Sequence, residues 1–209
     1  MKNIFKSLIF YFIAAFGISL NLLSNIGVSP FISLNNEFSV LSHIKFGTFM
    51  TITNLVFLVI YYFVSEKKDL KEILIMFISV ISFGYATNLF LYTILKNVNI
   101  NYYPYKILLF IVGTIISGFG VGLVLKLETL KFPVEATCQK LSEKTKFTFA
   151  HYRYAIDIIC IGASLAVSYF YTVPLSIREG TIISFIIFPG TIAFFSSSKT
   201  KFKTLKKAV

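Results

Sequence analysis

Six apolar runs alternate with short polar connectors along the chain, at roughly 4–23, 46–64, 72–95, 104–125, 149–172 and 180–197. Most are close to the roughly 20 residues that a helix needs to cross about 30 Å of hydrocarbon. The pattern predicts six membrane-spanning helices. The first run, with Lys2 and Lys6 ahead of it, has the flank of a signal peptide. No small-x-small cleavage site follows before Pro30, so a retained span is expected.

Composition agrees with lipid as the solvent. The 209 residues are 56% hydrophobic and 14% charged, against about 25% charged in a soluble domain. The 12 Tyr suit a membrane interface, where the ring sits in lipid and the hydroxyl among headgroups. A net charge of +11 raises nucleic acid as a partner, but the Lys residues fall in connectors and in the C-terminal tail, which excludes it. Fifteen Lys lie on the side of the N-terminus; Lys45, Lys96, Lys106 and Arg178 lie on the other, and Arg153 is inside the fifth run. That imbalance predicts two cytoplasmic termini and an even number of spans.

Shifted by 103 residues, the chain overlays itself without a gap. Phe16-Gly17 falls on Phe119-Gly120, Leu20 on Leu123, Pro30 on Pro133, Phe46 on Phe149 and Asn54 on Asp157. A further three-residue slip sets Gly84 on Gly190. Shared Gly and Pro positions carry most of the weight, because they punctuate the backbone. The units expected are a first three-span repeat, 1–103, and a second, 104–209, with a basic cytoplasmic tail. Three spans per unit means that the halves insert in opposite orientations. The charges agree, with one Lys in 24–45 and five in 126–148. Secondary transporters are commonly built this way, with the solute site near mid-bilayer.

After Pro30 come Phe31, Leu34, Phe38 and Leu41 at helical spacing, with Asn35, Asn36 and Glu37 between them. After Pro133 come Val134, Cys138 and Leu141, with Glu135, Gln139 and Lys140 between. Proline suits the first helical position, where its missing N–H has no intrahelical partner. Each connector reads as a short amphipathic helix, interfacial or re-entrant.

These residues resemble a known group. Gly27-Val28-Ser29-Pro30, then Phe46-Gly47-Thr48, and in the second half Pro133, Arg153, Asp157, Gly180-Thr181 and Gly190 are similar to the pattern of YczE/YyaS/YitT-type bacterial integral membrane proteins. Phe31-Ile32 stands where many members have Trp-Asp, and Leu70-Lys71-Glu72-Ile73 replaces an expected Gly-x-Gly-Thr. The resemblance implies a bacterial inner-membrane protein of transporter-like topology, and implies no substrate.

Ionisable groups within spans cost roughly 2.5–3.5 kcal/mol on insertion scales. Arg153 and Asp157, four apart in the fifth run, can pair on one helical face. With Asn54 they form the candidate solute or proton site; a structural pair, with Arg153 reaching the headgroups, is the plainer alternative. Asn21, Thr51, Thr53 and Asn88 read as hydrogen-bonding contacts between helices. Pro30, Pro133, Gly84, Pro189 and Gly190 are candidate helix-break or packing positions. Arg178 and Glu179 read as an interfacial pair. His43 and His151 fall near opposite faces, and the two Cys lack ligand spacing, so neither metal nor other cofactor is expected. With no Gly-rich phosphate loop the chain is no ATP-driven pump by itself.

The expectation is an all-α, polytopic bundle of six spans as two inverted three-helix repeats, with a short amphipathic helix after the first span of each. The function expected is secondary transport or permeation of a small solute rather than enzyme catalysis; a membrane scaffold or assembly protein is the alternative. The partners expected are the bilayer, the solute and further copies of the chain in a homo-oligomer.

Overall fold

The computed structural model describes residues 2–66, 68–127 and 131–196, and among them every regular element is helical. The order is α1 (Lys2–Ser24), α2 (Pro30–Ser42), α3 (Phe46–Val64), α4 (Leu70–Leu89), α5 (Tyr103–Leu127), α6 (Pro133–Lys144), α7 (Phe149–Tyr171) and α8 (Glu179–Ser196). A π-helical turn, Phe90–Ile94, extends α4. Five helices are long and apolar enough to cross a membrane: Phe5–Ser24, Phe46–Val64, Leu70–Ile94, Tyr103–Leu127 and Phe149–Tyr171. The sixth run forms α8, whose apolar stretch, Glu179–Ile192, is shorter. Large apolar side chains face outward all round the bundle, among them Phe63, Ile158, Phe170 and Ile182. Hydrocarbon is the solvent that tolerates such a surface. The chain is a helical integral membrane protein.

Both short helices start on their prolines, as expected. Ser29 and Phe132, each extended, lead the chain into them. α2 ends on His43 in the left-handed region, where its N–H and that of Ile44 reach back to the Val40 and Ser39 carbonyls. α4 starts on Asp69, whose carboxylate accepts from the Lys71 N–H at 2.9 Å.

At the centre α1 crosses α5. Gly17 lies on the α5 backbone at Gly113 and Ser117, so closely that no Cβ fits. Gly120 lies on α1 in the same manner, where an added Cβ would sit 2.6 Å from Ala14 N and 2.7 Å from Phe10 O. Without a hydrophobic drive between helices in lipid, close backbone approach of this kind is what holds them. α4 packs on α1 and α8 on α5, while α3 packs on α4. There Gly84 meets Thr51 and Gly47, so it is a packing glycine in an unbroken helix. Asn88 pins the same interface, accepting from Gly47 N at 2.8 Å and donating to Thr48 Oγ1 at 2.9 Å.

α2 and α6 fill the other side of the molecule. Each packs on both α3 and α7. α2 departs from the amphipathic expectation, because Ser33, Asn35, Glu37 and Ser39 are buried while Val40 is exposed. Some of its polar groups find partners inside the protein, while Asn35 Oδ1 and Glu37 Oε2 have none.

A methyl group at Gly17 has to push α5 away. Gly17→Ala should lower the melting temperature in detergent by several degrees, the cost of overpacking being about 1–3 kcal/mol. Gly162→Ala, where an added Cβ meets nothing within 4 Å, should not. Equal melting of both variants and the parent would refute the tight crossing.

Candidate functional site

Pro133 starts α6 so that Glu135 falls in its first turn, beside the start of α7. Arg153 Nη1 donates to Asp157 Oδ1 at 2.7 Å, one helical turn on. Its Nε lies 4.0 Å from Glu135 Oε1. One guanidinium therefore serves two carboxyl groups. Loss of water around Glu135 pushes its carboxyl above the usual range, Arg153 acts against that shift, and Asp157 adds to it. The Tyr11 hydroxyl, buried on α1 with no partner, is within Coulombic range of Glu135. The expected Arg153–Asp157 pair is present; Glu135 was hidden in the sequence among the polar positions of α6.

Asn54 is buried on α3 and turns its amide back to the Met50 carbonyl at 2.8 Å. No hydrogen bond joins it to Asp157 among the described residues. What lies close by is a plug. Phe31 of α2, Val134 of α6 and Cys160 of α7 form a buried cluster, with Phe57 of α3, Leu34 and Ile156 packed around it. Thr137 Oγ1 donates to the Phe57 carbonyl at 3.2 Å, tying α6 to α3.

The buried face of α7 runs Asp157, Cys160, Ser164, Val167, a stripe of helical spacing. Seven residues past Asp157, about 10 Å along the axis, Ser164 Oγ donates to Ser33 Oγ of α2 at 3.4 Å. Ser33 Oγ in turn donates to Glu37 Oε1 at 3.0 Å. The Ser176 N–H, from the α7–α8 connector, donates to the same oxygen at 2.9 Å. Asn36 Nδ2 donates to Ser176 Oγ at 2.9 Å. Two polar sets thus lie along one helix face with the Phe31–Val134–Cys160 plug between them.

Periodicity places 35–37 on the polar face of an amphipathic helix, which hides the burial of Glu37.

The remaining candidates play smaller parts. Pro30 and Pro133 set the start of α2 and α6. Pro189 and Gly190 lie in a helix that runs unbroken from Glu179 to Ser196, and Gly190 is exposed, with nothing within 4 Å of an added Cβ. Arg178 Nε is 3.6 Å from Glu179. His43 ends α2, while His151 bonds Thr148 Oγ1 at 2.6 Å. Cys138 is free and buried, and burial pushes its thiol up to about 11. Among the described residues no group of three His, Cys, Asp or Glu side chains is placed to hold a metal ion.

The chain belongs to DUF6198, a family of unknown function whose model matches residues 1–197. No curated protein and no solved structure matches it.

Removing the shared guanidinium strands two carboxylates. Arg153→Met should destabilise the protein by on the order of 3 kcal/mol, and by more than Asp157→Asn, which leaves Arg153 its Glu135 contact. The lost stability should return in part as the pH falls and Glu135 takes up a proton. Chemical denaturation in detergent between pH 5 and 8 checks this; equal losses with no pH dependence would contradict it.

Proposed function

We propose that this member of DUF6198 is a secondary transporter or permease for a small solute, built from two inverted repeats of three spans each. The observation that carries the reading is the make-up of the plug. Phe31 and Val134 are 103 residues apart, and so are Phe57 and Cys160. Four residues from four helices thus meet as two pairs of repeat equivalents, as side chains on a pseudo-two-fold axis must.

Other contacts follow the same exchange. Gly17 meets positions 113 and 117, and Gly120 meets 10 and 14, each the other's counterpart at a shift of 103. Such reciprocity is the mark of an isologous interface. α2 packs on α3 and α7, as α6 packs on α7 and α3; α1 packs on α4 as α5 on α8. The contact of α3 with α4 breaks the rule, since α7 and α8 are not packed in like manner. That inequality supports one half standing open relative to the other. In this reading α8 is the sixth span, both termini are cytoplasmic, and the site of the protein is a bacterial cell membrane. Kinship with the YczE/YyaS/YitT-type proteins belongs to the same proposal and rests on sequence pattern.

Function then follows from the layout. Rocking of α2 and α6 against α3 and α7 carries the plug from one side of the bound solute to the other. Arg153 offers a cationic anchor to an anionic group or yields its carboxylates to a proton. A dry interface would need neither buried polar set.

Alternating access is testable with no solute in hand. With Cys138 and Cys160 replaced by Ala, Val134→Cys in oriented vesicles should react with an impermeant maleimide from each face in turn. Asp157→Asn should slow that reaction from one face at least tenfold. Protection from both faces, with the protein folded, would favour the scaffold and sink the transporter.

A further inference from the structure

Glu37 poses a problem that the proposed transport cycle does not solve. Its side chain is fully buried. An ionised carboxylate taken out of water costs several kcal/mol unless a positive charge or enough donors accompany it. Here one oxygen, Oε1, takes both available donors, Ser33 Oγ and Ser176 N. The other, Oε2, has no partner. No ion pair reaches Glu37 among the described residues, unlike Asp157, Glu72 or Glu143.

The ionisable groups on the elements around α2 do not supply the missing charge. Tyr61 and Tyr62 on α3 form no bond with Glu37; nor do Arg153, Asp157, Cys160, Tyr169 and Tyr171 on α7. His43 and Lys45 lie beyond the C-terminus of α2 and are exposed. Arg178 is the nearest cation in sequence to the Ser176 contact. Its Nη1 is given to the Asn25 carbonyl at 3.0 Å and its Nε to Glu179.

We propose that Glu37 seats an exchangeable small monovalent cation, a proton or an alkali-metal ion, between α2, α7 and the α7–α8 connector. The free Oε2 and the hydroxyl oxygens of Ser33 and Ser164 are hard oxygen ligands, the kind such ions take. Either ion neutralises the carboxylate where nothing else does. Asn36, next to Glu37 in sequence, bonds Ser176, whose N–H meets Glu37, and the two line a small polar cleft together with Asn21, Asn25, Gly27 and Arg178. Its volume of about 20 Å³ admits one water-sized group. The site stands whether or not the protein transports, because equilibrium binding tests it.

The test uses the full-length protein purified in detergent, at constant ionic strength, with choline chloride exchanged for LiCl, NaCl or KCl. If the ion is a metal, one of these salts should raise the melting temperature by about 3–5 °C in a saturable way, and Glu37→Gln should lose that response. If it is a proton, no salt should act. Instead the infrared carbonyl band of an un-ionised carboxyl should vanish and return as the pH is cycled, and Glu37→Gln should lack that band. Should Glu37→Gln not fold, Glu37→Asp serves, with a weaker half-saturation or a displaced band. A wild type with neither a specific salt response nor a carboxyl band that titrates would overturn the proposal. So would either signal persisting unchanged in the variant.

Discussion

The whole arrangement depends on how closely α1 and α5 approach. Two helices in lipid gain little by hiding apolar surface from a solvent that is itself apolar, so contact has to come from packing at short range. Gly17 and Gly120 make that range available, each lying on the other helix where a side chain would stand. α4 and α8 then lean on this pair from either side. The π-helical turn at the end of α4 falls beside it, with Phe90 edge-on to Phe16 at 5.1 Å.

The second constraint is the ban on unpaired polar groups in a dry interior. α6 meets it more fully than α2, where Asn35 Oδ1 and Glu37 Oε2 have no partner. α6 carries Glu135 to Arg153, and the ends of its helix are tied by ion pairs from Lys131 to Glu72 and from Lys144 to Glu66. α2 turns Ser33 and Glu37 toward α7 and the connector beyond it, and that connector is itself strapped to residues 26–28. The straps are Val28 N to the Ser176 carbonyl, Gly180 N to the Ile26 carbonyl and Thr181 Oγ1 to the Val28 carbonyl. Gly27 permits the turn, since its φ of +124° suits few other residues. α6 thus has its Glu135 carboxylate beside a guanidinium, while α2 leaves Glu37 Oε2 bare.

Much of this was legible in the sequence, because the membrane makes hydropathy a strong signal. The apolar runs, the starts of α2 and α6 on their prolines, and the Arg153–Asp157 pair could all be read from spacing. What escaped had a common cause. Periodicity shows which residues share a helix face, and says nothing of what that face meets. Glu37 and Asn35 fall on the polar side of an amphipathic pattern, although both are fully buried against the rest of the protein. Glu135 passed as a surface charge for the same reason, since its partner is 18 residues away on another helix. Asn54 was linked to Asp157 through the shift of 103, yet its amide is satisfied within its own turn. Repeat equivalence names positions and does not say that they touch. The residues that do meet at that shift are apolar, Phe31, Val134, Phe57 and Cys160, and they give no chemical signal of their own.

Opposed orientation of the two halves is the claim from which the plug, the paired short helices and the exchange of access all follow. It is measured most directly by side-specific labelling of single cysteines at His43, which caps α2, and at Lys146, 103 residues on and just past the end of α6. In sealed vesicles, antiparallel halves predict that an impermeant maleimide reaches His43→Cys from one face and Lys146→Cys from the other. Labelling of both from the same face would contradict an inverted repeat.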